Sequence, residues 1–163
     1  MEIVASHLTA KTLELLGKPG ADLFGRSSFN RFYYSAYLDV RRELVAMFPD
    51  APTMHAVMPD YLSGEIVRKL KRIREGAKRV GDHELMQLCS RAIHAAQGLS
   101  EMLKAAYKTR VVADYMPNVS VDFTDLDGDF SLDDIRISVA KSWPNRARGF
   151  IASIRWAMRS GNA

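Results

Sequence analysis

Only one cysteine, Cys89, occurs in 163 residues, which excludes an internal disulfide and suits a reducing compartment. Long apolar runs are missing too. The longest stretch free of Asp, Glu, Lys and Arg is nine residues, whereas a membrane span takes about twenty. The N-terminus carries Glu2, His7 and Lys11 among its apolar residues and has neither the apolar stretch nor the cleavage site of a signal peptide. No segment alternates as a strand, and no internal repeat is visible. The glycines of 17–25 follow no strand and match no phosphate-cradling spacing, so they read as caps and turns. Neither His83 nor His94 has a partner at metal-ligand spacing, so no metal or cofactor is expected. The composition itself, 47% apolar and 26% charged, is that of an ordinary folded domain. The expectation is one cytoplasmic domain over 1–163.

Net charge is a modest +4, but it is unevenly spread. Residues 64–79 hold seven basic and two acidic side chains, a net of +5. Residues 141–160 hold five basic and no acidic ones, while 120–134 hold six aspartates and no basic residue. Segregated charge steers a chain toward a polyanion or a charged protein partner without deciding between them.

Helical periodicity dominates the rest. A modest amphipathic helix is predicted over 3–16, stopping at Gly17. The clearest pattern is Phe29, Phe32, Tyr33, Ala36, Tyr37, Val40, Leu44 and Met47, one continuous apolar face. Ser27 or Ser28 is placed to cap that helix and Pro49 to close it. A third main helix, capped by Ser63 after the break at Pro59, turns Ile66, Leu70, Ile73, Ala77 and Val80 inward. A fourth runs from about His83 to Val112 with Leu88, Cys89, Ala92, Leu99 and Leu103 inward. Residues 116–130 read as a long loop. Ser131 with Asp134 resembles a capping box before a last helix. That helix buries Leu132, Ile135, Val139 and Trp143, kinks at Pro144 and continues through Ile151, Ile154 and Met158. The fold class is therefore all-α, an up-down bundle of about five helices.

Residues 27–44, Ser-Ser-Phe-Asn-Arg-Phe-Tyr-Tyr-Ser-Ala-Tyr-Leu-Asp-Val-Arg-Arg-Glu-Leu, resemble the "S-x-x-R-x-Y-Y-A-x-F" helix of the HEPN superfamily, small helical proteins of toxin–antitoxin and defence systems. Arg110-Val-Val-Ala-Asp-Tyr115 resembles the "R-x-x-A-D-Y" helix end of one HEPN branch, and His55 stands where that branch often has a histidine. The resemblance covers nearly the whole chain in order. It implies a helical bundle that forms a homodimer. In active members it also implies a metal-independent RNase site at the dimer cleft, built on R-x4-6-H: a base takes the 2′-hydroxyl proton and an arginine stabilises the charged phosphorane. Some HEPN toxins are modified on a tyrosine by a cognate nucleotidyltransferase, a role that Tyr115 would inherit. This chain departs from the motif. Arg79 and His83 have three residues between them, Arg91 and His94 two, and where Tyr115 is aligned, Lys108 and Ala113 replace the arginine and histidine. The usual imidazole base is missing, so catalysis is not expected. An atypical ribonuclease site around Arg110, Asp114 and Tyr115 is the alternative, set against a plain helix end tied by an Arg–Asp pair.

Arg68, Lys71, Arg72, Lys78 and Arg79 share one helical stripe with Glu75. This stripe is the candidate contact for an RNA or nucleotide phosphate, set against a merely solvated face. Residues 125–136 imitate a calcium loop, but Phe130 sits where the turn wants Gly and Arg136 where a bidentate Glu belongs. A solvated acidic loop, or a contact for a basic partner, fits better. Cys89 reads as a small buried hydrophobe, and Trp156, off the inner face of its helix, as a residue for a dimer interface.

Overall fold

In the computed structural model, which describes residues 1–124 and 128–161, 76% of the chain is helical and the fold is an all-α bundle. The elements are α1 (Glu2–Glu14), α2 (Ala21–Met47), the short α3 (Met58–Tyr61), a π turn (Leu62–Ile66), α4 (Val67–Val80), α5 (His83–Tyr115) and α6 (Ile137–Ser160). A two-stranded hairpin, β1 (Ser131–Leu132) and β2 (Ile135–Arg136), precedes α6. None of the described helices is long and apolar enough to cross a membrane.

The residues group into two compact units, and α2, α5 and α6 each contribute to both. One unit comprises residues 1–38 and 105–145. Its core is aromatic: Phe29, Phe32, Tyr33, Tyr37, Phe130 and Trp143 are all essentially buried. Phe29 meets Phe130 edge-on with ring centroids 5.9 Å apart, and Tyr33 stacks on Tyr37 at the same distance. Burial pushes the Tyr33 phenol above its ordinary pKa, because a phenolate in that core would be badly solvated.

The other unit comprises residues 39–104 and 146–163. Its core is aliphatic, with Leu44, Leu62, Ile66, Leu70, Leu99 and Ile154 fully buried. Cys89 lies there without exposure, and burial raises its thiol pKa. Two ion pairs at the edge join α6 to α2: Arg148 with Asp39 at 3.1 Å and Arg155 with Glu43 at 2.8 Å.

Local chemistry corrects several sequence expectations. The second helix begins at Ala21, not at the serines. Gly25 lies inside it because a Cβ there would come within 3.1 Å of Val121 and 3.4 Å of Phe130. Ser28 is buried and its hydroxyl donates back to the Gly25 carbonyl, a bond internal to the helix. Pro59 starts a helix instead of breaking one, since its missing N–H costs nothing in the first turn. Ser63 is therefore within the helical run. Its hydroxyl and that of Ser100 both donate to the Pro59 carbonyl, at 3.2 and 2.7 Å. Val80, placed inward by periodicity, is 80% exposed at the end of α4, where Gly81 (φ +74°) ends the helix and Asp82 caps the next by accepting from the Leu85 N–H. Val139 is likewise exposed, and Ile137, Ala140 and Trp143 form the buried face instead.

Ser131 and Asp134 do not form a capping box. They belong to the hairpin, whose turn residues Asp133 and Asp134 have φ of +49° and +63°. Two left-handed residues are what a two-residue turn with the strands' own twist requires, and Asp tolerates them. The start of α6 is capped from outside by Asp129, whose carboxylate accepts from the Ser138 N–H at 3.2 Å and the Ser138 hydroxyl at 2.6 Å. Pro144 lies inside the uninterrupted α6. Residues Asp125, Leu126 and Asp127 of the calcium-like pattern lie outside the described residues.

Burial alone would raise the Asp129 carboxyl, but bonds from Ser138 and the Phe130 N–H, with Arg136 nearby, hold it below the ordinary carboxylate value. A pKa depressed in the folded state stabilises above the unfolded value and loses that contribution as pH falls through the folded one. Stability is therefore expected to fall in acid, and Asp129→Ala should cost about 1 kcal/mol at neutral pH while flattening that acid dependence. Urea unfolding midpoints at pH 3, 5 and 7 check this; an unchanged acid slope would contradict it.

Candidate functional site

Arginine 26 organises one end of the first unit. It sits in α2, is only 8% exposed, and directs every guanidinium nitrogen at the C-terminus of α5 and the chain beyond. Nε donates to the Ala113 carbonyl at 3.0 Å, Nη2 to Val112 at 2.7 Å and Met116 at 2.9 Å, and Nη1 to Val119. The Val112 and Met116 carbonyls each also accept a backbone N–H, from Met116 and Val119, and the dipole of the helix end favours a cation. No carboxylate is among the described partners of Arg26. No local pattern in the sequence marks Arg26, because its acceptors lie 86 to 93 residues away.

The cap brings Arg110, Asp114 and Tyr115 together with two α2 residues. Arg110 Nε lies 2.9 Å from Asp114 Oδ2, an ion pair whose N–H is not aligned for a hydrogen bond. Its Nη2 donates to the Tyr34 hydroxyl at 3.3 Å and, at the limit of 3.5 Å, to the Tyr115 hydroxyl. The guanidinium carbon stands 5.8 Å from the Tyr34 ring centre and 5.1 Å from that of Tyr115, so both rings offer it their π faces. Burial works against the Arg110 charge, but the two hydroxyls and Asp114 outweigh it and hold the group more firmly protonated. Asn30 donates to Asp114 Oδ1 at 2.5 Å, while its own Oδ1 is buried without a partner. Beside the pair lies a depression of about 210 Å³ bordered by Arg31, Asn30 and Asp114. Tyr115 is 66% exposed.

Chemically, this cluster is a cation already engaged by a carboxylate and two phenols. No imidazole is among the described contacts of Arg110, Asp114 or Tyr115. Lys108, aligned with the missing arginine, is tied to Asp133 at 2.9 Å.

The basic stripe differs. Arg68, Lys71, Arg72, Lys78 and Arg79 are all exposed on α4, in the second unit. Arg68 pairs with Glu65. Among the described residues Lys71, Arg72, Lys78 and Arg79 have no carboxylate partner, and Glu75 pairs only with Arg74, at 3.7 Å. Arg68, Lys71, Arg72, Glu75 and Arg79 line a shallow depression of about 610 Å³ with Gly64, Val67 and Gly76; Lys78 lies outside that lining. At about 1.5 Å of rise per residue, the row from Arg68 to Arg79 is about 16 Å long.

Comparison with protein families, curated proteins and solved structures found no match.

The Arg26 cap carries a prediction. Arg26→Ala removes four charge-assisted bonds to carbonyls and should destabilise the chain by about 3 kcal/mol. Arg26→Lys should recover only part of that, because an ammonium lacks the planar fork. Chemical denaturation checks both, and full rescue by Lys would contradict the account.

Proposed function

We propose that this chain is a non-catalytic, HEPN-like helical module that works as a homodimer in the cytoplasm, within a toxin–antitoxin or phage-defence system, and binds RNA through α4. One observation carries the binding part. Lys71, Arg72, Lys78 and Arg79 stand on a single exposed helix face without carboxylate partners among the described residues. Such a row repels itself in the free protein and gains by displacing the counterions of a phosphate backbone. The lack of an imidazole among the described contacts of Arg110, and the engagement of that arginine by its own neighbours, support a binding role over a hydrolytic one.

About five phosphate contacts should give a log–log slope of affinity on salt of roughly −3.5 to −4.5. Fluorescence anisotropy with a labelled RNA across a salt series measures it. Replacing both Lys71 and Arg72 with Glu should abolish most binding at any salt. Affinity that ignores salt, or survives that charge reversal, would sink the proposal.

A second reading, a metal-independent endoribonuclease, is favoured by the convergence of Arg110, Asp114 and Tyr115 within hydrogen-bonding reach. Expression in a growing bacterium decides it. Growth arrest with fragmented RNA, abolished by Arg110→Ala, is the outcome this reading expects; a harmless wild-type chain is the outcome the first reading expects.

A further inference from the structure

Two features of the α4 face are poorly suited to a plain phosphate tether. The first is Glu75, a carboxylate set among cations that would repel a phosphate. At about 100° per residue, Arg68, Arg72 and Arg79 fall within about 40° of one another, and Lys71 and Lys78 within about 20°. The two rows are about 90° apart around the axis, and Glu75 projects between them. It is 55% exposed, and its one described partner is Arg74 at 3.7 Å, not the Lys71, Arg72 or Arg79 that helical spacing sets beside it.

The second feature is glycine. Gly64 and Gly76 both border the depression, and a Cβ added to either would meet nothing within 4 Å. Glycine within a helix is destabilising relative to alanine, and nothing among the described residues requires it at these positions. Bare backbone there leaves room for a surface from outside.

We infer that this face docks double-stranded RNA across its minor groove, with the two cation rows on the two phosphate strands and Glu75 accepting hydrogen bonds from the 2′-hydroxyls between them. The inference rests on the phosphate-binding reading of α4 and names the ligand for the same face. A duplex presents two phosphate rows with a groove between, whereas a single strand presents one. The depression's lining residues include no aromatic side chain, the platform on which single-stranded binders stack bases. The A-form minor groove is wide, shallow and lined by 2′-hydroxyl donors, so a face without a protruding element can lie across it. The deep major groove of B-form DNA calls for a protruding element instead. A carboxylate between two cationic rows suits a ligand that sets donors between two anionic rows.

The test uses the full chain and three probes of about 16 base pairs or bases: an RNA duplex, a DNA duplex of the same sequence, and one RNA strand alone. Titration at fixed low salt should show the RNA duplex bound about tenfold more tightly than either other probe. Glu75→Gln removes the repulsion and weakens the acceptor, so it should strengthen DNA binding severalfold while narrowing the RNA-to-DNA ratio. Gly76→Ala should raise Tm and yet weaken RNA-duplex binding, a combination that damage to the fold does not produce. Equal affinity for RNA and DNA duplexes, tighter binding of the single strand, or a Glu75→Gln gain equal on all probes would overturn the inference while leaving phosphate binding intact. Binding of none of the probes would overturn both.

Discussion

A guanidinium taken out of water has to be surrounded by acceptors, and at Arg26 these are main-chain carbonyls at and beyond the end of α5. That contact ends a 33-residue helix at a defined place. It sets Asp114 within reach of Asn30 and Arg110 within reach of Tyr34. The same bonds tie residues 116 and 119 to the helix they follow, which starts the path leading to Val121, Phe130 and the Asp129 cap of α6. An ion pair would have joined two side chains; carbonyl capping joins a side chain to the course of the backbone itself.

The rule that saturates Arg26 also accounts for several other cations. Arg110 is half-buried and is met by a carboxylate, two hydroxyls and two rings. Arg148 and Arg155 are partly covered and each has its own acid on α2. On α4 the cost of leaving a charge without a partner is small, because water solvates it, and there four cations go without one. Interior and edge arginines are thus accounted for by the fold. The α4 set is left to solvent as one row, and the proposed binding is placed there and not at the more elaborate Arg110 cluster.

Much of this was legible in the sequence. The apolar face from Phe29 through Leu44 is buried as its spacing implies, because a period of 3.6 reports directly on which side of a helix is covered. The stripe from Arg68 to Arg79 projects into solvent for the same reason. The Arg110–Asp114 pair follows from i,i+4 geometry. Helix starts were less legible. Ser28 and Ser63 have the side chains of caps but sit within helices, where their hydroxyls bond a preceding carbonyl. The Asp129 cap comes from eight residues before Ile137, and no local pattern announces a remote cap. The hairpin was hidden because four strand residues are too few to show alternation, and its signal was the two aspartates in left-handed conformation. Arg26 was missed because one arginine amid small and apolar residues looks like any exposed charge until its distant carbonyls are in place.

The function proposed follows from where cations without described carboxylate partners stand in one exposed row, and it locates binding on one helix. Mapping backbone amide shifts by NMR during titration with a short RNA duplex tests that placement most directly. The account predicts that the largest changes cluster at Gly64, Arg68, Lys71, Arg72, Glu75, Gly76 and Arg79. Changes centred on Asn30, Arg31, Asp114 and Tyr115, with α4 unmoved, would contradict it.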